Sequence, residues 1–206
     1  MKEFTTLEIQ RKYNEYAPQY DRRDLLRQLS RQHRLRQRLF QKATGQVLEV
    51  AIGTGANLPF YSRSCQITGI DLSRPMLDIA RQHSELLGLR LTLLEMDATL
   101  LAFPDQSFDT VVSSLSLCTF PDPLDALAEM ARVCRPEGRI LLLEHGRSDR
   151  KLLRKWQDRL AAHHARRLGC QWNREPLDLV RQAGLQVISA RRSFFGIFHE
   201  FEAKPA

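Results

Sequence analysis

The chain has 206 residues, 43% of them hydrophobic, and a net charge of +7. That length suits one domain with a substantial core, and that hydrophobic fraction is ordinary for a soluble protein. No apolar run reaches the roughly 20 residues of a membrane span, and the opening Met-Lys-Glu-Phe-Thr-Thr lacks the apolar stretch of a secretory signal.

Residues 5–20 carry Tyr13, Tyr16 and Tyr20, and Pro18 is expected to break any helix there. Residues 22–42 read as one basic amphipathic helix, with Leu25, Leu26, Leu29, Leu35, Leu39 and Phe40 on its apolar side. Val47 to Ala51 is a short apolar run of the kind a buried parallel strand needs. Gly53 and Gly55 follow, then a segment that can begin a helix. A strand ending in a glycine-rich turn lets backbone approach a ligand closely. Gln66 to Ser73 reads as a second strand with Asp71 at its carboxyl end. A carboxylate there can accept two hydrogen bonds from a ribose diol. Ser73 can cap a helix with Pro75 in its first turn and Gly88 at its end. Leu91 to Met96 is the third strand, followed by Asp97 and Ala98.

Phe103-Pro104-Asp105 forms a turn into a strand from Thr110 to Ser114. Leu115 to Pro123 is a loop that holds Cys118 and Phe120. Asp122 and Pro123 start a helix, and Arg135-Pro136-Glu137-Gly138 ends it. Arg139 to Glu144 is the fifth strand, with His145 just beyond. Residues 150–168 form a second basic helix. A helix ending at Gly184 and strands at Leu185 to Ala190 and Ile197 to Ala203 complete the chain.

This alternation predicts an α/β fold, a single-domain doubly wound Rossmann-like sheet with ligands outside the carboxyl ends of its strands. Asp71, Asp97, Ser114, Glu144 and His145 all fall at such ends. Two cofactors compete for the glycine turn. A dinucleotide wants G-x-G-x-x-G around its pyrophosphate, but Leu58 stands where the third glycine would fall. S-adenosylmethionine has no phosphate; it needs an open glycine turn and a carboxylate for its ribose.

At Glu49, Ala51, Gly53 and Gly55 the sequence resembles the class I S-adenosylmethionine-dependent methyltransferases, whose first motif is roughly acidic-x-Gly-x-Gly-x-Gly. Ala51 departs from that pattern and is expected to have negative φ. Phe103-Pro104-Asp105-x-x-Phe108-Asp109 before the fourth strand is similar to the same family. Tyr13-x-x-x-Ala17-x-x-Tyr20-Asp21 resembles the start of quinone and lipid methyltransferases, where it covers the cofactor. Residues 141–148 and the stretch Gly169-Cys170-x-Trp172-Asn173-Arg174 are similar to a group near the phosphatidylethanolamine, quinone and thiol methyltransferases.

The resemblance implies a mostly parallel seven-stranded sheet with an antiparallel last strand and a helical cap. Its expected parts are cap helices in 1–42, a cofactor-binding core in 43–146, a basic lid insertion in 147–174, and a helix and strand pair in 175–206. It assigns the cofactor to Tyr20, Glu49, Ala51, Gly53, Gly55, Asn57, Asp71, Leu72, Met76, Met96, Asp97, Ala98 and Ser114. S-adenosylhomocysteine is the expected product, and no metal is expected. A base is needed only where the acceptor arrives protonated, and His145 and Tyr20 are the candidates.

The acceptor the resemblance favours is small or lipidic, an aminophospholipid or a quinone. A thiol or another small molecule is the alternative. A protein that binds S-adenosylmethionine without turnover is the alternative of another class. Sixteen of the 31 basic residues fall in 22–42 and 147–170, against three of the 24 acidic ones. Such segments suit contact with an anionic membrane, and solvated helix faces explain them equally well. Nucleic acid is not expected, because no RNA-binding module or aromatic stacking platform is present. Cys65, Cys118, Cys134 and Cys170 have no CxxC spacing. They are expected to be reduced thiols in a cytoplasmic protein, with neither a zinc site nor a redox pair.

Overall fold

The computed structural model describes residues 4–28 and 31–206, and their side chains outside residues 21–31. Leu25, Leu26 and Leu29, expected on an apolar helix face, lie outside the described side chains. The elements are α1 (Thr6–Gln28), α2 (Arg31–Phe40), β1 (Gln46–Val50), β2 (Gln66–Asp71), α3 (Arg74–Leu87), β3 (Leu91–Glu95), β4 (Phe108–Ser114), α4 (Pro123–Val133), β5 (Cys134–His145), α5 (Lys151–Leu168), α6 (Pro176–Gln182), β6 (Gln186–Ser193) and β7 (Phe198–Lys204).

The seven strands form one sheet in the order β3-β2-β1-β4-β5-β7-β6. Pairing is parallel from β3 across to β5, while β7 runs antiparallel to both β5 and β6. This is the Rossmann-like architecture that the alternating elements imply. Strand order reverses between β1 and β4, and that switch opens a crevice at their carboxyl ends.

Alternation along the central strands divides the core between the two faces. Leu48, Val50, Ile140 and Leu142 pack with Ala126, Leu127 and Met130 of α4. Val47, Leu141 and Leu143 pack on the other face with Leu35, Leu39 and Phe40 of α2 and Leu77 of α3. The ends of α3 follow the sequence. Ser73 Oγ accepts the Met76 amide at 3.4 Å, and Gly88 closes the helix at φ 63°.

Two helix expectations are corrected. Pro18 does not break the first helix but lies inside α1. A proline there removes one hydrogen bond and costs about 3 kcal/mol. Burial outweighs that cost: Ile9 and Ala17, on the face away from solvent, are almost fully buried. The second concerns residues 22–42, whose described parts belong to the end of α1 and to α2, with residues 29 and 30 outside the described residues. A third difference lies in β5. Its strand begins at Cys134, where Phe108 pairs with Cys134 before a register shift, so α4 stops at Val133 and residues 135–138 belong to β5.

Candidate active site

The glycine turn leaves β1 through Ala51, whose φ is +54°. The expectation of negative φ is therefore wrong. The turn needs the left-handed region here, and an alanine in it costs roughly 1 kcal/mol. Leu115, just past the neighbouring β4, has φ +56°. Both residues that flank the crevice thus carry backbone strain, a feature that clusters at functional sites.

Gly53 and Gly55 do different things. A Cβ on Gly53 would meet nothing within 4 Å, so its face is open to a ligand. A Cβ on Gly55 would come within 2.6 Å of the Leu58 side chain, so this glycine permits packing. The Gly53 amide donates to Asp71 Oδ2 at 2.9 Å, and the Ser73 amide donates to Oδ1 at 2.9 Å. Burial pushes the Asp71 carboxyl up to about 6, against the pull of these backbone donors. Each oxygen keeps a further lone pair for a ribose hydroxyl.

A cavity runs along these strand ends. Asp71 and Leu72 from β2, Met96 and Asp97 after β3, and Ser114 and Leu115 after β4 line it. Ala51, Gly53, Met76, Ala98 and Tyr20 also border it. Asp97 is shaped by its own loop: Oδ1 accepts both the amide and the hydroxyl of Thr99 at 2.9 Å. Helix α1 crosses the cavity, and Gln10 Nε2 fixes it by donating to Leu72 O at 2.8 Å and Glu95 Oε1 at 3.1 Å.

Glu49, Gly55 and Asn57 do not line this cavity. Glu49 is 1% exposed, beneath the turn. Its oxygens accept from Asn57 Nδ2 at 2.6 Å and Tyr61 OH at 2.7 Å. Asn57 Nδ2 also donates to Ser114 Oγ at 2.9 Å. Arg36 of α2 donates to the same Oγ at 3.0 Å and to Asn57 Oδ1. Burial lifts the Glu49 carboxyl to about 7, while these partners and Arg36 lower it. These groups support the turn from behind.

A second cavity, of about 540 Å³, adjoins the first. Tyr13, Tyr20 and Leu115 line both. His145, Cys118, Cys170, Trp172, Ile197 and Phe198 border the second. His145 Nε2 lies 3.4 Å from Cys170 Sγ. Burial raises the Tyr13 phenol well above its usual range, so it remains a neutral donor. Glu144, beside His145, accepts the Ser116 and Leu117 amides at 3.1 and 3.2 Å and holds the loop after β4.

Residues 48–142 match the family model described as a methyltransferase domain. A demethylmenaquinone methyltransferase of Lactiplantibacillus plantarum is 31% identical over 160 residues, 72% of this chain and 68% of that one. The chain belongs to the class I S-adenosylmethionine-dependent methyltransferases. A phosphatidylethanolamine N-methyltransferase of Cereibacter sphaeroides is 41% identical over 128 residues. That match covers 58% of this methyltransferase-family chain and 63% of the relative, under two thirds of its length. A solved S-adenosylmethionine-dependent methyltransferase from Thermotoga maritima shares the fold with a TM-score of 0.68. It is 21% identical, and the match covers 95% of this chain and 99% of that one.

Sequence reasoning missed three parts of this methyltransferase site. Tyr13 was read only as part of the stretch that covers the cofactor, and of its tyrosines Tyr20 alone was given a site role. In a continuous α1, Ile9, Tyr13, Tyr16 and Tyr20 recur every three to four residues and share a face. Arg36 had no local signal, since its partners are 21 and 78 residues away. The third is the meeting of Cys118, His145 and Cys170, whose ligand atoms all lie within 4.8 Å of one another. Spacing along the chain gave no sign of it.

Proposed function

We propose that this protein moves a methyl group from S-adenosylmethionine to an apolar or amphiphilic acceptor at an anionic membrane surface. An aminophospholipid or a quinone is the favoured acceptor. The observation that carries this reading is the pair of cavities meeting at Tyr13, Tyr20 and Leu115. The open face of Gly53 and the half-buried Asp71 carboxylate fit the cofactor. The larger cavity, where Leu115, Trp172, Ile197 and Phe198 meet Lys12, Glu15 and Arg167, suits an amphiphilic acceptor.

When bound, S-adenosylmethionine supplies a methyl group on an already activated sulfonium. The chain then has to bind, orient and exclude water. Asp71 would accept the ribose hydroxyls, Asp97 the adenine amino group, and Tyr20 would close the cavity from α1. Leu72, Met76, Met96 and Ala98 would give the adenine its apolar walls. Tyr13, held neutral, can donate toward the junction of the two cavities. Where the acceptor arrives protonated, His145 or Tyr20, both of which line the second cavity, would take its proton.

Membrane contact is supported by an apolar, basic surface beside the acceptor cavity. On α5, Leu152 is 83% exposed and Trp156 is 53% exposed, among exposed Arg150, Lys151 and Lys155. The β6–β7 hairpin tip adds exposed Phe194 and Phe195. The Asp149 amide donates to Phe195 O at 3.1 Å, so the tip and the start of α5 sit together. The next residues, Ile197 and Phe198, line the acceptor cavity. Phe194, Phe195 and Gly196 all have positive φ, a strained turn that displays aromatic rings to solvent. Such a surface inserts rings and leucines while its cations meet headgroups. Among the described residues, no helix is long and apolar enough to cross a membrane. Relatives named for phosphatidylethanolamine and demethylmenaquinone support an apolar acceptor.

Transfer of labelled methyl groups against lipid, quinone, thiol and amine panels tests the reading. Label in the lipid or quinone arm is expected. Label confined to the thiol or amine arm would replace the acceptor, and label in none would leave a binding protein without turnover.

A further inference from the structure

We propose that Cys118, His145 and Cys170 form a soft-metal site for Zn²⁺ on the wall of the acceptor cavity. The site lies beyond the cofactor cavity and does not depend on which acceptor is used.

Three elements converge there. Cys118 sits on the loop after β4, His145 ends β5, and Cys170 follows α5. Backbone bonds hold them in place. The Gln171 amide donates to Cys118 O at 2.8 Å, locking the two cysteine segments together. Arg174 Nη1 donates to Phe120 O at 2.8 Å and ties down the same loop. The Gly146 amide, next to His145, donates to Ile197 O at 2.9 Å. The cluster is therefore built by the fold and not by flexible surface side chains.

The donors suit one ion. All three ligand atoms lie within 4.8 Å of each other, and Cys170 Sγ and His145 Nε2 are 3.4 Å apart. Zinc bonds of about 2.3 Å to sulfur and about 2.0 Å to nitrogen put tetrahedral ligands about 3.5 Å apart. Two thiolates around a divalent ion also sum to zero charge, which a buried position favours. Two sulfurs and an imidazole select zinc over magnesium or calcium. All three residues line the acceptor cavity, so a fourth position would face it. Three protein ligands with an open fourth position are the pattern of a catalytic zinc. That position takes water or a soft donor such as a thiolate. His145, once a ligand, would no longer serve as a base, and Tyr20 would remain.

The test uses the full chain, reduced and stripped of metal under argon, and titrated with Co²⁺ and then Zn²⁺. One Co²⁺ per chain is expected, with thiolate-to-cobalt charge-transfer absorption and tetrahedral ligand-field bands that Zn²⁺ abolishes. The chain has four cysteines. A Cys65→Ser/Cys134→Ser variant should keep the absorption, which leaves Cys118 and Cys170 as its only source. Cys118→Ser and Cys170→Ser should each weaken it, and His145→Gln should shift the ligand-field bands. No charge-transfer absorption in folded, reduced wild type would overturn the site, as would its loss in the Cys65→Ser/Cys134→Ser variant while circular dichroism stays native. If the Cys118 or Cys170 variant fails to fold, wild type and this double variant still decide the matter. No acceptor is present, so failure here leaves the methyl-transfer reading untouched.

Discussion

Asp71 at the end of β2 accepts the Gly53 amide of the turn after β1, at 2.9 Å. One hydrogen bond therefore joins the carboxylate proposed to hold the ribose to the glycine proposed to face the cofactor. Turn and carboxylate are positioned together before any ligand arrives, which lowers the ordering cost of binding.

Asp71→Asn keeps the shape of the side chain and removes its charge. Lost charge-assisted hydrogen bonds in a buried site cost about 2 kcal/mol or more. S-adenosylmethionine affinity should fall by at least about 30-fold at that cost. Calorimetry on the folded variant checks this, and unchanged affinity would put the ribose elsewhere. The Asp71 carboxyl titrates near 6 in the fold, so wild-type affinity should also weaken as pH drops below about 6.

Glu49 gives a stability test with a definite sign. Its folded carboxyl sits at about 7, against 4.5 for the free group. The folded state therefore holds a proton that the unfolded state has released between those values. Stability tied to this group is greatest at low pH and is lost as pH rises through about 7. Relative to Glu49→Gln, wild type should lose about 3 kcal/mol between about pH 4 and about pH 8. Urea unfolding of both proteins across that range measures it. Comparing the pair cancels His199, which burial depresses to about 4 and which acts with the opposite sign. A pH-independent difference would mean that Glu49 keeps an ordinary pKa.

Ala51 occupies the left-handed region at φ +54°. Ala→Gly at an ordinary φ costs about 0.5–1 kcal/mol through the freer unfolded chain. Here relief of strain offsets it, so Ala51→Gly should leave stability unchanged or raise it by up to about 1 kcal/mol. Thermal unfolding decides, and a loss above about 1 kcal/mol would contradict the strained turn.

The membrane surface is tested without chemistry. Phe194→Ser/Phe195→Ser and Arg150→Gln/Lys151→Gln/Lys155→Gln should each weaken sedimentation with anionic vesicles. S-adenosylmethionine affinity should stay intact in both. Near such a surface each lost cation is worth about 1 kcal/mol. Arg154 is left alone, because its guanidinium already donates to Ser148 O and Asp149 O at 3.2 Å. Wild type that ignores anionic vesicles at low salt would make this face an ordinary solvated one.

Much of the fold could be read because its signals are local. Val47 to Val50, the capping Ser73 and the αL Gly88 each act within a few residues, and each stands where the sequence put it. The readings around Ala51 and Pro18 failed for one physical reason. Both residues violate a local preference that long-range packing and the demands of a tight turn override. Arg36 and the Cys118–His145–Cys170 cluster were illegible because their partners come from distant elements. The Phe194-Phe195 tip carried no turn signal, since aromatic residues are poor choices for positive φ.

Methyl transfer at a membrane is tested most directly with labelled S-adenosylmethionine and two vesicle populations. One contains phosphatidylethanolamine and a demethylated quinone among anionic lipids, and the other contains the anionic lipids alone. Label should enter the organic extract of the first, with the anionic-only vesicles and the Asp71→Asn protein at background. Label absent from the first population, while wild type binds both cofactor and vesicles, would contradict a membrane-presented aminophospholipid or quinone as the acceptor.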